Sequence, residues 1–210
     1  MSELARRSLV GAALIIATLV AATLGGYLFV TLVALAACVL FYEWRRIVQG
    51  WGLGWQVAGF VYALVPALAL LWIRERSPVG VELLLWVFIT TWSVDIGAYF
   101  AGRTIGGPKL APAISPNKTW AGLIGGMIAA ALFGGLWASL LELPRILLLL
   151  AAPFAVAAQL GDLFESWLKR RAGVKDSGTW LPGHGGALDR LDGLVVVATL
   201  TAAAMMAGWL

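Results

Sequence analysis

The chain has 210 residues, of which 61% are hydrophobic and only 12% charged, against roughly 45–50% and about 25% in a soluble domain. No water-soluble fold of that length hides such an apolar excess, so the composition excludes a soluble enzyme or binding module and implies an integral membrane protein. The formal net charge of +4 would point to nucleic acid in a soluble chain; here the bases sit between apolar runs, where they set orientation and bind phosphates, not nucleic acid.

A bilayer core takes about 20 apolar residues per helix. Seven stretches meet that demand: 8–25, 27–43, 55–73, 80–101, 119–141, 145–168 and 191–209. The sequence therefore predicts an all-α fold, a polytopic helical bundle of about seven transmembrane helices. No internal repeat or low-complexity tract interrupts it, so 1–210 reads as a single membrane domain. The first two spans share the Gly25-Gly26 break and form either a tight hairpin or one irregular element. Residues 1–25 also resemble a signal peptide, but cleavage would strip the next span of its antiparallel neighbour. Several of the eleven Trp fall near the ends of apolar runs, as in an interfacial belt. Cys38 is the only cysteine, which excludes an internal disulfide, and its apolar surroundings suggest a small core residue.

With the N-terminus in the cytoplasm, Arg6, Arg7, Arg45, Arg46, Arg103, Lys109, Lys118, Lys169, Arg170, Arg171, Lys175 and Arg190 all fall inside. Only Arg74, Arg76 and Arg145 fall outside, as the positive-inside rule asks. The two richest polar loops, 102–118 and 169–190, then share the cytoplasmic face.

Carboxylates stand where lipid would be expected. Asp95 lies in the fourth span, Asp162 and Glu165 in the sixth, and Asp189 and Asp192 open the seventh. An Asp at mid-span costs about 2.5–3.5 kcal/mol on insertion scales, so such residues normally face a bundle interior or aqueous cavity. Pairing with Arg for helix packing would explain one of them; five at similar depth on three spans call for a function. Asp162, Glu165, Ser166 and Lys169 follow i, i+3, i+4, i+7 and share one helical face. Asp189 and Asp192 share another. Two such faces meeting would give a cluster of hard oxygen ligands suited to Mg²⁺ or Mn²⁺, while a single His and a single Cys exclude a protein-only zinc site. A divalent cation on carboxylates is the usual companion of a nucleoside triphosphate.

The anion side is carried by two loops. Ser115-Pro116-Asn117-Lys118-Thr119 opens the fifth span; Ser115 or Asn117 is placed to cap that helix, whose amides favour an anion, with Lys118 beside them. The same run is also simply a good helix start. In the later loop, Pro182-Gly183-His184-Gly185-Gly186 lets backbone amides approach a ligand closely. Lys169-Arg170-Arg171 serves either a phosphate or the positive-inside anchor.

These motifs, taken together, are specific. The run from Ser166 through Lys169-Arg170, Lys175-Asp176-Ser177-Gly178, Pro182-Gly183-His184-Gly185-Gly186, Asp189-Arg190 and Asp192 resembles the signature of the phosphatidate cytidylyltransferase (CDP-diacylglycerol synthase) family. Asp95-x-Gly97-Ala98-Tyr99-x-x-Gly102-Arg103, Ser115 to Trp120, and Gly161-Asp162-Leu163-x-Glu165-Ser166 are similar to the same family in the same order. The resemblance covers about 85 to 210, so 80–210 reads as the catalytic membrane core and 1–75 as spans of generic type. Ala121 stands where many members carry Glu or Gln, and the chain is shorter than typical members, in the spans before Asp95.

The resemblance implies transfer of cytidylyl from CTP to phosphatidic acid, giving CDP-diacylglycerol and pyrophosphate at the bacterial inner membrane, with the site facing the cytoplasm. It implies Asp162, Asp189, Asp192 and Lys175 as catalytic residues and Asp162, Asp189, Glu165 and Asp192 on a Mg²⁺ or Mn²⁺ ion. Asp95, Ser115, Asn117, Lys118, Thr119, Lys169, Arg170, His184, Gly185, Gly186 and Arg190 are implied as substrate-binding. A second, monovalent cation and a homodimer are compatible with it. The nearest alternative is a CTP-dependent kinase of a polyprenol-type lipid, which would need a base for a hydroxyl nucleophile. A transporter would carry its charges near the midplane and toward both faces, whereas these cluster toward one. An inactive scaffold would tolerate loss of the carboxylates.

Overall fold

The computed structural model describes residues 3–178 and 185–210, with side chains from Leu9 onward. Seven helices follow one another: α1 Glu3–Leu24, α2 Gly26–Ile47, α3 Leu53–Arg74, α4 Gly80–Thr104, α5 Trp120–Leu140, α6 Ile146–Arg171 and α7 Leu188–Met206. Between α4 and α5 runs a short antiparallel hairpin, β1 Lys109–Ala111 with β2 Ser115–Thr119. It is the only pair of strands among the described residues.

Five helices, α2 to α6, are long and apolar enough to cross a membrane. The other two differ from the seven-span expectation for separate reasons. The described side chains of α1 give a shorter apolar run, Leu9–Leu24. In α7, Asp189, Arg190 and Asp192 crowd the first turns and interrupt the apolar sequence. Large apolar side chains such as Ile128, Leu132 and Leu149 stand exposed around the bundle, as in a protein whose solvent is hydrocarbon. The chain is an integral membrane protein.

The Gly25-Gly26 break separates two helices and does not distort one. Gly25 has φ +68°, a region that glycine enters without steric cost. The guanidinium of Arg74, at the end of α3, fills the space beside it: a Cβ on Gly25 would come within 2.5 Å of Nη2. Arg74 Nε donates to Ala22 O at 2.5 Å and Nη2 to Thr23 O at 3.0 Å. A cation thus satisfies carbonyls that the end of α1 leaves unpaired. Cys38 is exposed on α2, not the small core residue expected from its apolar neighbours, because the apolar run around it faces outward as well as inward.

The closest helix approach is between α4 and α5. A Cβ on Gly97 would meet Gly125 O at 2.6 Å, one on Gly125 would meet Ala101 Cβ at 2.3 Å, and one on Gly126 would meet Val94 O at 3.0 Å. Small residues let backbones touch, and in a bilayer that close packing replaces the hydrophobic drive available in water. A large apolar cluster built around Trp86, Leu83, Leu84, Leu147 and Val197 joins α4 to α5, α6 and α7. A second, around Trp44, Leu168 and Leu188, joins α2 to the ends of α6 and α7.

Gly125→Val pushes a branched side chain into the Gly97 backbone. Thermal unfolding in detergent should show a loss of about 1–3 kcal/mol. Gly106→Val is the matched control: a Cβ there would meet no atom within 4 Å, so with φ at +68° it reads out backbone strain alone.

Candidate active site

The site is built on the last three turns of α6. Gln159, Asp162, Ser166 and Lys169 recur at helical spacing, with Glu165 beside them. Ser166 Oγ donates to Asp162 Oδ1 at 3.3 Å, and Lys169 Nζ lies 2.9 Å from Glu165 Oε1. The shared face expected from the sequence is present.

On one side of this face a cleft of about 200 Å³ opens between α4, the β2–α5 junction and α6, lined by Asp95, Tyr99, Asn117, Lys118, Gln159 and Asp162. Lys118 leaves the end of β2 and reaches α6, where Nζ lies 2.5 Å from Asp162 Oδ2 and donates to Gln159 Oε1 at 2.8 Å. Thr119, not Ser115 or Asn117, caps α5: its hydroxyl accepts from Gly122 N at 3.0 Å. Ser115 to Thr119 form a strand, so the first two positions are too early in the chain to reach the helix amides. The cleft therefore borders a helix N-terminus whose dipole favours an anion.

On the other side α7 enters. Lys169 Nζ also pairs with Asp189 Oδ1, bridging α6 to α7. Asp189 Oδ2 accepts from Ser177 N at 3.0 Å and Gly186 N at 2.9 Å, and lies 2.9 Å from Ser177 Oγ. Both of its oxygens are thus engaged. Gly185, at φ +84°, would place a Cβ 3.0 Å from the same carboxylate. Asp192 accepts from Gly193 N at 2.7 Å and sits in the field of Asp162 and Asp95. Glu165, buried, faces Asp189 and Asp192. Arg190 and Lys118 both act on Asp95. Arg170 Nε donates to Ile114 O at 3.4 Å, tying α6 to the hairpin. Lys175 is exposed. His184 lies outside the described residues.

Three residues of this region carried no weight in the sequence. Gln159 is one helical step from Asp162, and that i, i+3 spacing on an otherwise apolar stretch was a usable signal. Tyr62, on α3, has a buried hydroxyl with no hydrogen-bond partner among the described residues, in the field of Glu165, Asp192 and Asp162. Glu43, on α2, is fully buried and accepts from Ser177 Oγ, Ala187 N and Leu188 N. Its signal, a lone acid in FYEWRR, reads as the polar end of a span.

The donor chemistry suits a hard cation. Asp95, Asp162 and Asp192 repel one another, these side chains offer only oxygens, and among the described residues the Tyr62 hydroxyl in their field has no hydrogen-bond partner. Among the described residues no three His, Cys, Asp or Glu side chains gather to hold an ion by themselves.

Residues 49–207 match the family described as the cytidylyltransferase family. Phosphatidate cytidylyltransferase of Brucella suis biovar 1 is 50% identical over 171 residues, 80% of this chain and 62% of that protein. The proteins of the same name from Rickettsia bellii and Pseudomonas aeruginosa are 37% and 38% identical, over 82% of this chain and 78% and 66% of theirs. The chain thus spans less than two thirds of the Brucella relative's length. The match runs through every site segment from α4 to α7, and on it the chain belongs to the cytidylyltransferase family.

Proposed function

We propose that this chain transfers the cytidylyl group of CTP to phosphatidic acid, releasing pyrophosphate and forming CDP-diacylglycerol. The observation that carries the reading is the paired arrangement on α6: Lys118 held on Asp162 and Gln159 at a helix N-terminus, and Lys169 held between Glu165 and Asp189. Family membership and the names of the relatives support it.

In this reaction a phosphatidate oxygen attacks the α-phosphorus of CTP, and the bond to the β-phosphate oxygen breaks as pyrophosphate leaves. The nucleophile is already ionised at neutral pH, so no strong base is required. The obstacle is the approach of two polyanions. Lys118 and the α5 N-terminus offer positive potential to one phosphate group in the cleft. Lys169 and Arg190 do so on the α7 side, with the His184-Gly185-Gly186 segment and Lys175 as further contacts from the loop. Asp192 and Asp162, with Asp95 beside them, are the residues that would hold a divalent cation; Asp189 and Glu165, also implied as ligands, are already engaged by Lys169 and by backbone amides. When bound, Mg²⁺ or Mn²⁺ would shield the phosphates from each other. Ammonium groups fixed by carboxylates need little reorganisation as charge shifts to the leaving group, which is where electrostatic catalysis gains most.

The same reading sets the N-terminus and both polar loops in the cytoplasm and the protein in the bacterial inner membrane, with seven crossings including α1 and α7. The basic side chains support it, twelve of fifteen falling on that face. CTP then arrives from the cytosol while acyl chains remain in the leaflet.

Purified protein incubated with radiolabelled CTP and phosphatidic acid should yield a labelled liponucleotide; labelled phosphorylated lipid alcohol, or no labelled lipid at all, would overturn the assignment. Asp162→Asn should lower turnover at least about 10²-fold, the scale of losing one key electrostatic group, in protein whose circular dichroism shows it still folded at the assay temperature. Excess chelator should stop turnover and Mg²⁺ restore it, an outcome read in the same assay. A membrane-impermeant thiol reagent should label a cysteine introduced at Lys175 from the cytosolic side only, measured in oriented vesicles.

A further inference from the structure

The signature loop between α6 and α7 is anchored by a residue far outside it. Glu43 lies on α2, upstream of the matched residues 49–207, and is wholly buried at 0% exposure. Its Oε2 accepts from Ser177 Oγ at 2.9 Å and Leu188 N at 2.8 Å, and its Oε1 accepts from Ala187 N at 3.1 Å. One carboxylate therefore grips both ends of the loop. It also caps α7, whose own N-cap residue Ala187 offers no side-chain acceptor, so that two amides at that helix end are satisfied from another helix.

Space around this contact is shaped to fit. A Cβ on Gly178 would come within 2.4 Å of Glu43 Oε1, and one on Gly186 within 2.5 Å of Oε2 and 1.9 Å of Ser177 Oγ. Ser177 then passes the connection on: its hydroxyl is also 2.9 Å from Asp189 Oδ2, and Asp189 holds Lys169. A chain of direct contacts runs from Glu43 through Ser177 and Asp189 to the Lys169 ammonium.

We propose that Glu43 is a positioning residue, a buried clasp on both ends of the 177–188 loop that sets where Asp189 and Lys169 stand for the reaction. The proposal rests on the cytidylyl-transfer reading for its catalytic consequence, and on geometry alone for the clasp. Glu43 touches neither substrate nor cation; it acts through Ser177 and the α7 amides. A carboxylate is required because three donors converge on its two oxygens. Glutamine keeps one oxygen and turns an N–H₂ group toward donors, leaving at least one of them unpaired.

The experiment compares wild type, Glu43→Gln, Glu43→Asp, Ser177→Ala and the double variant Glu43→Gln/Ser177→Ala, as full chains in detergent with lipid. Hydrogen exchange of the Ala187 and Leu188 amides, melting temperature, and kcat and KM for CTP are recorded. In Glu43→Gln those two amides should exchange at least about tenfold faster, with the melting temperature within a few degrees of wild type. Its kcat should fall roughly 10- to 10²-fold, the scale of a small misplacement of reacting groups, and by much more than KM changes. Glu43→Asp should recover part of kcat. The double variant should be no worse than the poorer single variant, because both cut one chain of contacts. Unchanged exchange at Ala187 and Leu188 overturns the clasp; faster exchange with unaltered kcat, or additive losses in the double variant, overturns the positioning role. A wild-type protein that makes no liponucleotide overturns the reaction reading, which the exchange measurement does not depend on.

Discussion

The structure turns on one ammonium group. Lys169 is shared between Glu165, one turn back on its own helix, and Asp189, at the start of the next. Both acids and the lysine are largely buried, and removing one member of a buried pair typically costs about 3–5 kcal/mol. That penalty fixes the geometry. It ties α6 to α7 at one end of the bundle, beside the apolar cluster that contains Leu168 and Leu188. Lys118 repeats the device between the hairpin and α6, through Asp162 and Gln159.

Packing and chemistry meet at the α4–α5 seam. Gly97, Gly125 and Gly126 bring the two backbones into contact, and the cleft beside them is lined by Asp95 and Tyr99 of α4 and by Thr119, the cap of α5. The width of the cleft therefore follows from glycines that touch no polar side chain. A side chain at any of them would widen the cleft by moving the helix, so a packing change there would be felt by a residue several ångströms away. The hairpin serves the same end. By pairing Lys109 with Thr119 and Ala111 with Ser115, it delivers Lys118 to α6 from a short, fixed strand.

How much of this the sequence carried depends on whether the signal was local. The face of Asp162, Glu165, Ser166 and Lys169 follows from helical periodicity alone, and the structure brings it against Asp189 as that spacing implied. The helices themselves were legible as apolar runs, with ends shifted by a few residues where charged turns continue the helix, as at Lys169 to Arg171 and Leu188 to Arg190. The cap on α5 was misplaced from Thr119 to Ser115 or Asn117, because nothing local distinguishes a helix start from a strand that leads into one. Glu43 was illegible for a stronger reason. Its partners lie 134 to 145 positions away, and a lone acid before Trp44-Arg45-Arg46 looks like an ordinary interfacial residue. The Arg74 contact to Ala22 and Thr23 was hidden in the same way. Periodicity reports which residues share a face, but not which face of a distant helix they meet.

An acid-rich site for polyanions looks paradoxical until the acids are sorted by what they hold. Glu43 holds backbone amides and a hydroxyl; Asp189 holds amides and Lys169; Glu165 holds Lys169; Asp162 holds Lys118. Each of these carboxylates fixes a donor in place. Asp95 and Asp192 are different: each stands in the field of Asp162, and among the described residues no lysine ammonium lies directly on either. The site thus divides into a part that is electrostatically satisfied and holds its cations rigidly, and a part with negative potential to spare.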